Sequence, residues 1–311
     1  MVRRAEPVRI SSLYPVVRAL QLEGNWPNEG GVCPITAQRV GVGWGAIPKE
    51  CWPERRGDPW PPAEPPGLDA IAKRRRTGFY QRVRSSNDAQ VALTRGHPVM
   101  CSIRIAASWM DVGADGLVPL PAPGEMFLGN HSMVLAGHAD GRFTVWNSYG
   151  TEWGDRGFGY LPFAYFDRFL NDAFCVEPSS QPHAKDIIWV APAPLGNEMF
   201  GTELWDAEND ERQAWAYATP RDGFLDIEEL FVRPQYRRQG LATDLVRELR
   251  RAASEARLPL RAWIPWPDVK RENMPGVRAV LRRLNLEMGP SPFPWARYVA
   301  TPPGQRTLLH R

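Results

Sequence analysis

The sequence predicts an α+β chain of two successive domains, and three observations carry that expectation. Short β runs separated by glycine-rich turns dominate the stretch from Pro98 to Leu161. The polar segment Pro178-Ser-Ser-Gln-Pro-His-Ala-Lys185 has two prolines and no hydrophobic period, as a linker would. Beyond it strands and helices alternate, the pattern of an α/β layer. With 311 residues, each part is long enough to bury a core of its own. The expected boundaries are 1–177 for the first domain, 178–186 for the linker and 187–311 for the second domain.

The elements follow in order. Leu13, Val16, Val17 and Leu20 recur at helical spacing, so Ile10–Leu22 is expected to be helical, with Ser11 and Ser12 available as caps. Five prolines between Asp58 and Pro66 exclude regular structure there. Ser86-Asn87-Asp88 is expected to cap a helix over Ala89–Arg95, and Pro98–Ile105 reads as a buried strand. Ser132–Gly137, Phe143–Asn147 and Gly157–Leu161 are short strands. After the linker, strands are expected at Ile187–Ala191, around Glu211–Thr219, at Phe224–Val232, at Leu260–Ile264 and near Ala296–Ala300. Helices are expected at Leu241–Ala256 and Pro275–Leu284.

Composition narrows the class. Hydrophobic residues make up 43% and charged residues 23%, a globular balance. No run approaches the roughly 18 apolar residues a membrane span needs, and the start has no apolar stretch of signal-peptide type. The expectation is a cytoplasmic protein without a membrane partner. A net charge of +3 spread over both halves does not imply nucleic acid. Only four of the 38 basic residues are lysines (Lys49, Lys73, Lys185 and Lys270), a skew toward arginine that points to a bacterial source. Cys33, Cys51, Cys101 and Cys175 are widely spaced with no CxxC pair, which suggests reduced thiols and no metal site.

The most informative segment is Leu225-Asp-Ile-Glu-Glu-Leu-Phe-Val-Arg-Pro-Gln-Tyr-Arg-Arg-Gln-Gly-Leu-Ala242. A strand runs into Pro234, a tight loop follows, and Gly240 and Ala242 open a helix. Free loop amides and the positive end of the helix dipole then converge on one point, which makes an anion site. Arg237 and Arg238 add positive charge, and Gly240 leaves room for a phosphate. Asp226 and Glu228 alternate onto one face of the strand and Glu229 onto the other, so either of the first two is a candidate base.

This segment closely resembles the acetyl-CoA loop of the GNAT acetyltransferases, whose Gln/Arg-x-x-Gly-x-Gly/Ala pattern is found as Arg237-x-x-Gly240-x-Ala242. The resemblance implies an α/β domain with a mixed twisted sheet. It implies a pyrophosphate held by the loop Arg237, Arg238, Gln239, Gly240, Leu241 and Ala242, and a pantetheine paired to the backbone of Phe231 and Val232. The family often places an acidic Tyr in a later helix, where this chain has Leu281. The helices the family uses to bind substrate usually lie between the first strands, and little helical sequence occurs between Ala191 and Phe200.

Upstream, Gly129-Asn-His131 and the run Asn147-Ser-Tyr-Gly-Thr-Glu-Trp-Gly154, closing on Gly159-Tyr160, look like the papain-like cysteine peptidases. In those enzymes a His opens a strand and an Asn opens an Asn-Ser-Trp-Gly-Thr-x-Trp-Gly run. The resemblance implies helices followed by an antiparallel β-barrel, with Asn147 orienting His131 to activate a thiol. The family's catalytic Cys begins a helix earlier than Glu29-Gly-Gly31, and none of the four cysteines occupies that place. Tyr149 replaces the usual Trp.

These resemblances lead to an acetyl-CoA-dependent N-acyltransferase acting on an amine, including one on a peptide or protein gathered by an inactive papain-like domain. Either that domain is a pseudo-enzyme, or the catalytic helix was lost from the gene with a start codon placed too late. Two alternatives stay open: a cysteine peptidase whose nucleophile lies upstream of the given start, and a binding protein with no catalysis at all.

Overall fold

The computed structural model describes residues 8–28, 30–55, 57–176, 189–206, 208–264, 286–289 and 296–300. The chain divides into two compact units. One comprises Met1–Thr77 with Ser179–Ala191 and Glu198–Arg311, and the other comprises Gly78–Pro178 with Pro192–Asn197. The units are thus drawn differently from the single boundary at 178–186, because the first 77 residues cluster with the C-terminal sheet.

The chain opens with α1 (Leu13–Glu23), α2 (Pro34–Gly43) and the short α3 (Leu68–Ala72). Leu13, Tyr14, Val17 and Leu20 bury one face of α1 against Val40, Ile47, Trp52 and Leu68. Helix α1 stops at Gly24, whose φ of 67° favours a residue without Cβ. The serines expected to cap it are used elsewhere, since the Ser11 hydroxyl donates to the Trp52 carbonyl and the Ser12 hydroxyl to Glu54. Helix α2 escaped the sequence pattern because its three valine and isoleucine residues and two glycines give little helix propensity. Its Pro34 sits at the first helical position, where a missing N–H costs nothing.

The β-rich unit holds β1 (Tyr80–Arg82), α4 (Ser86–Thr94), β2 (Val99–Ala106), β3 (Phe127–Ala139), β4 (Arg142–Trp146), β5 (Phe158–Pro162), α5 (Phe163–Phe169) and β6 (Leu170–Val176). Its sheet runs β1-β6-β2-β3-β4-β5, with every neighbouring pair antiparallel. The cap of α4 is Ser85, whose hydroxyl accepts from the Asp88 N–H at 3.1 Å, so the helix begins earlier than expected. Alternate residues such as Val99, Cys101, Ile103, Phe143 and Val145 enter the core, where Trp109 and Trp153 stack at 5.7 Å.

The C-terminal sheet is built from β7 (Trp189–Pro192), β8 (Glu198–Asp206), β9 (Glu211–Arg221), β10 (Phe224–Val232), β11 (Leu260–Ile264), β12 (Leu286–Gly289) and β13 (Ala296–Ala300), with α6 (Leu241–Glu255) between β10 and β11. The order is β12-β13-β11-β10-β9-β8-β7. The β10–β11 pair is parallel and the β8–β9, β9–β10, β11–β13 and β12–β13 pairs are antiparallel, so the sheet is mixed. Leu245, Val246, Leu249 and Ala253 form the apolar stripe of α6. They pack on Ala214, Ala216 and Ala218 of β9, small residues that let the helix come close. The expected helix over Pro275–Leu284 and the linker lie outside the described residues.

The other face of β9 and β10 carries Trp215 and Phe231, whose rings lie 4.8 Å apart, and α2 docks here. Its last carbonyls take cations from outside the helix: Arg212 donates to the Val42 carbonyl, and Arg76 and Arg233 donate to the Gly43 carbonyl at 3.0 and 2.6 Å. Helix α2 has no basic residue in its own last turn, so these arginines answer the negative end of its dipole. Arg233 also lies over the Trp44 ring at 3.9 Å. Arg212 pairs with Glu203 at 3.2 Å, and burial pushes the Glu203 carboxyl above its usual range against the pull of that guanidinium.

A Cβ added at Gly43 would lie 2.7 Å from the Trp215 ring. Gly43→Val is therefore expected to cost about 1–3 kcal/mol in urea unfolding by overpacking. Gly31→Ala, at a position with nothing within 4 Å of the new Cβ, is the control that leaves the midpoint in place.

Candidate functional site

Strand β10 is the axis of the C-terminal site. It pairs in parallel with β11 only over Leu225–Leu260, Asp226–Arg261 and Ile227–Ala262. Its pairing with β9 slips by one residue between Ile227 and Glu229, a β-bulge with Glu228 as the extra residue. Past the bulge β10 continues to Val232 along β9, while Trp263 and Ile264 pair with β13. The edge of β10 over Leu230–Val232 therefore has no parallel ladder partner among the described residues.

The strand ends in a loop that turns through Arg238 (φ 65°) and Gly240 (φ 87°), both left-handed. Helix α6 begins at Gly240 with no side-chain cap. The amides of Leu241 and Ala242 accordingly point out of the first turn, as helix geometry requires of its opening residues. A Cβ at Gly240 would meet nothing within 4 Å, so the space in front of the helix is open and the backbone angle is what asks for glycine. Arg237 Nε donates to the Val232 carbonyl at 3.1 Å. Burial, and then the nearby Arg39 charge, hold its guanidinium below the usual arginine range. Arg238 and Gln239 are exposed.

The bulge changes the reading of the three carboxylates, because it resets the alternation and brings Glu229 to the face that carries Asp226. Asp226 is fully buried, and both of its oxygens accept from the Arg261 guanidinium. Glu229 is 3% exposed and forms a two-point ion pair with Arg39 of α2, both distances 3.1 Å. Glu228, at 9% the most exposed of the three, accepts a hydrogen bond from the neutral Thr219 hydroxyl at 2.8 Å. Arg39, Thr219 and Arg261 were not singled out from the sequence. No local pattern marks a bulge, and Arg39 is 190 residues away from Glu229.

In the β-rich unit His131 lies on β3 and Asn147 follows β4. His131 Nε2 and Asn147 Oδ1 are 2.8 Å apart, and the same oxygen accepts from the Ser148 N–H at 2.8 Å. An oxygen facing Nε2 makes that nitrogen the N–H donor and leaves Nδ1 as the basic position. The Tyr149 ring stacks on the imidazole at 4.7 Å and meets Trp153 edge-on. Cys101 and Cys175 of this unit are both buried in the sheet, and burial pushes the Cys101 thiol far up, away from thiolate chemistry.

Residues 166–282 match the family model described as Acetyltransferase (GNAT) family, and the match begins within α5. The chain is therefore similar to the GNAT acetyltransferases over its C-terminal part. Its N-terminal part has the fold of the papain-like cysteine proteases. Xylellain, a cysteine protease from Xylella fastidiosa, superposes with a TM-score of 0.50 at 20% identity over 57% of this chain and 72% of that one. Procathepsin B S9 from Trypanosoma congolense reaches a TM-score of 0.45 at 18% identity over 56% of this chain and 62% of that one. A peptidase C1-like protein of Acanthamoeba polyphaga mimivirus is 29% identical over 97 residues, which is 29% of this chain and 31% of that protein. This chain thus spans about a third of that curated relative's length. No described helix is long and apolar enough to cross a membrane.

The partners of the carboxylates give them different weights in folding. Removing Asp226 as Asp226→Ala leaves the Arg261 guanidinium buried, and urea unfolding is expected to register a loss of about 3–5 kcal/mol. Glu228→Gln keeps the acceptor for Thr219 and is expected to stay within about 1 kcal/mol of wild type.

Proposed function

We propose that this protein is a cytoplasmic, acetyl-CoA-dependent N-acyltransferase that acylates an amine, including one on a peptide or protein held by the papain-like domain. The observation that carries the proposal is the parting of β10 from β11 at the bulge, with the uncapped start of α6 beyond it. An edge with no parallel ladder partner among the described residues and a helix N-terminus in open space fit the two ends of a pantetheine pyrophosphate. The backbone of Phe231 and Val232 would line the pantetheine. The amides of Leu241 and Ala242, with Arg237, Arg238, Gln239 and Gly240, would hold the phosphates. Acetyl-CoA supplies the acyl thioester when bound.

Glu228 is the favoured base. It is the least buried of the three carboxylates and stands at the bulge itself, next to the edge over Leu230–Val232. Its role is to take the proton from the acceptor ammonium so that the amine lone pair is available. Leu281, the position at which a general acid would be sought, lies outside the described residues. The papain-like unit is proposed to bind rather than cleave, because Cys101 and Cys175 are buried in its sheet and neither Cys33 nor Cys51 occupies the place of the family's nucleophile. The His131–Asn147 pair, with Nδ1 as its basic position, supports the second reading, a cysteine peptidase completed by a thiol from outside this sequence.

Calorimetric titration with acetyl-CoA is the direct test, and one-to-one binding with a Kd on the order of micromolar is expected. Heat-silent titration with no competition by coenzyme A would overturn the proposal. Gly240→Asp puts a negative charge at the mouth of the loop and is expected to weaken binding at least tenfold, about 1.4 kcal/mol or more. Gly240→Asn tolerates the left-handed backbone and is expected to lose less. On an amine panel, Glu228→Gln is expected to lower kcat by roughly 10²-fold while leaving acetyl-CoA affinity unchanged.

A further inference from the structure

The N-terminal segment does more than cover a sheet. Arg39 of α2 reaches β10 just past the bulge, where its Nε and Nη2 donate to the two oxygens of Glu229 at 3.1 Å each. Glu229 Oε1, the oxygen facing Nη2, also accepts from the Leu230 N–H at 2.9 Å. The Arg39 guanidinium lies over the Phe231 ring at 5.1 Å, and its charge reaches Arg237 at the start of the loop. One side chain therefore touches or influences four consecutive features of the strand and loop: Glu229, the Leu230 amide, Phe231 and Arg237. The ion pair is largely out of water, with 15% of the Arg39 side chain and 1% of the Glu229 side chain exposed. Its two-point geometry fixes orientation as well as distance.

Strands β7 and β8 are joined by the tight turn Ala193–Asn197, closed by the Ala193 N–H on the Asn197 carbonyl and the Gly196 N–H on the Ala193 carbonyl. That connection leaves no length for a helix, so the face of β9 and β10 opposite α6 is covered from elsewhere. Helix α2 covers it, held by Gly43 against Trp215 and by the three arginines on its final carbonyls.

We infer that Arg39 is a positioning residue for acyl transfer, setting the β10 edge through Glu229, and that the N-terminal helices are a working layer of the acetyltransferase. This rests on the acyltransferase proposal for the β10 site. A guanidinium at this place fixes the Glu229 carboxylate, and the carboxylate fixes the Leu230 amide at the head of the edge that would take the pantetheine.

The test uses the full chain with Arg39→Met, Arg39→Lys and the exchanged pair Arg39→Glu with Glu229→Arg. Acetyl-CoA affinity is measured by calorimetry, amide hydrogen exchange at Leu230–Val232 by mass spectrometry, and unfolding by urea. Arg39→Met is expected to weaken acetyl-CoA binding at least tenfold and to speed exchange at Leu230–Val232 at least tenfold, with exchange over β3 and β4 unchanged. Arg39→Lys, which keeps the charge and loses the fork, is expected to fall between, and it serves if the methionine variant does not fold. The exchanged pair restores the charge pairing but leaves no carboxylate at position 229 to accept from the Leu230 N–H, so it is expected to recover stability in urea while acetyl-CoA affinity stays at least tenfold weakened, a separation mere stabilisation does not give. Wild-type affinity and wild-type exchange in Arg39→Met and Arg39→Lys would overturn the inference. If the wild type itself binds no acetyl-CoA, the acyltransferase proposal fails, and local exchange at Leu230–Val232 alone decides the role of Arg39 on the strand.

Discussion

The one-residue slip in β10 between Ile227 and Glu229 is the constraint from which the C-terminal site follows. Before it, β10 is an ordinary member of a mixed sheet, paired on both sides and buried against α6. After it, the ladder to β11 ends, an edge opens toward Val232, and the face presented by every following side chain is reversed. A bulge is a cheap way to do all three, because an extra residue needs no new element and only a local change of twist. The same slip gathers the carboxylates of Asp226, Glu228 and Glu229 around one short stretch of backbone, where each is held by a different partner.

Arginine supplies most of those partners and much of the packing of the unit. Helix α2 ends without a basic residue of its own, yet its carbonyls meet Arg76, Arg212 and Arg233. A planar guanidinium can donate to a helix end while lying flat on an aromatic ring, as Arg233 does on Trp44. A lysine ammonium has no plane to lay on the ring. In a chain with four lysines among 38 basic residues, a bias that reads from composition as a trait of the source thus has a structural use.

The β-rich unit is organised by a different economy, one histidine and one asparagine held by a sheet. Asn147 is buried just past β4, and its oxygen is shared between the His131 ring and the Ser148 amide. Because that oxygen is already oriented by the backbone, the imidazole has one favoured tautomer. The ring of Tyr149 stacks on the imidazole at 4.7 Å, so an aromatic face lies against His131 despite the departure from the family pattern at this position.

Much of this was legible in the sequence. Strands β11 and β13 and most of β10 follow from runs of apolar and β-branched residues, and the loop from Pro234 to Ala242 follows from the placing of proline and glycine, which act through their own backbone limits. His131 and Asn147 were found because a long motif fixes their spacing, and the structure brings them to 2.8 Å. Helix α2 and strands β6 and β8 were missed, since their residues lack a clear period and are held by burial against other elements. Local chemistry, in short segments where the chain's own stereochemistry decides, was determined by the sequence alone. Only the tertiary structure decided that residues 1–77 cluster with the C-terminal sheet, that Glu229 shares a face with Asp226, and that Arg39 meets it. Those outcomes depend on a bulge and on contacts across 190 residues, and no local propensity carries such information.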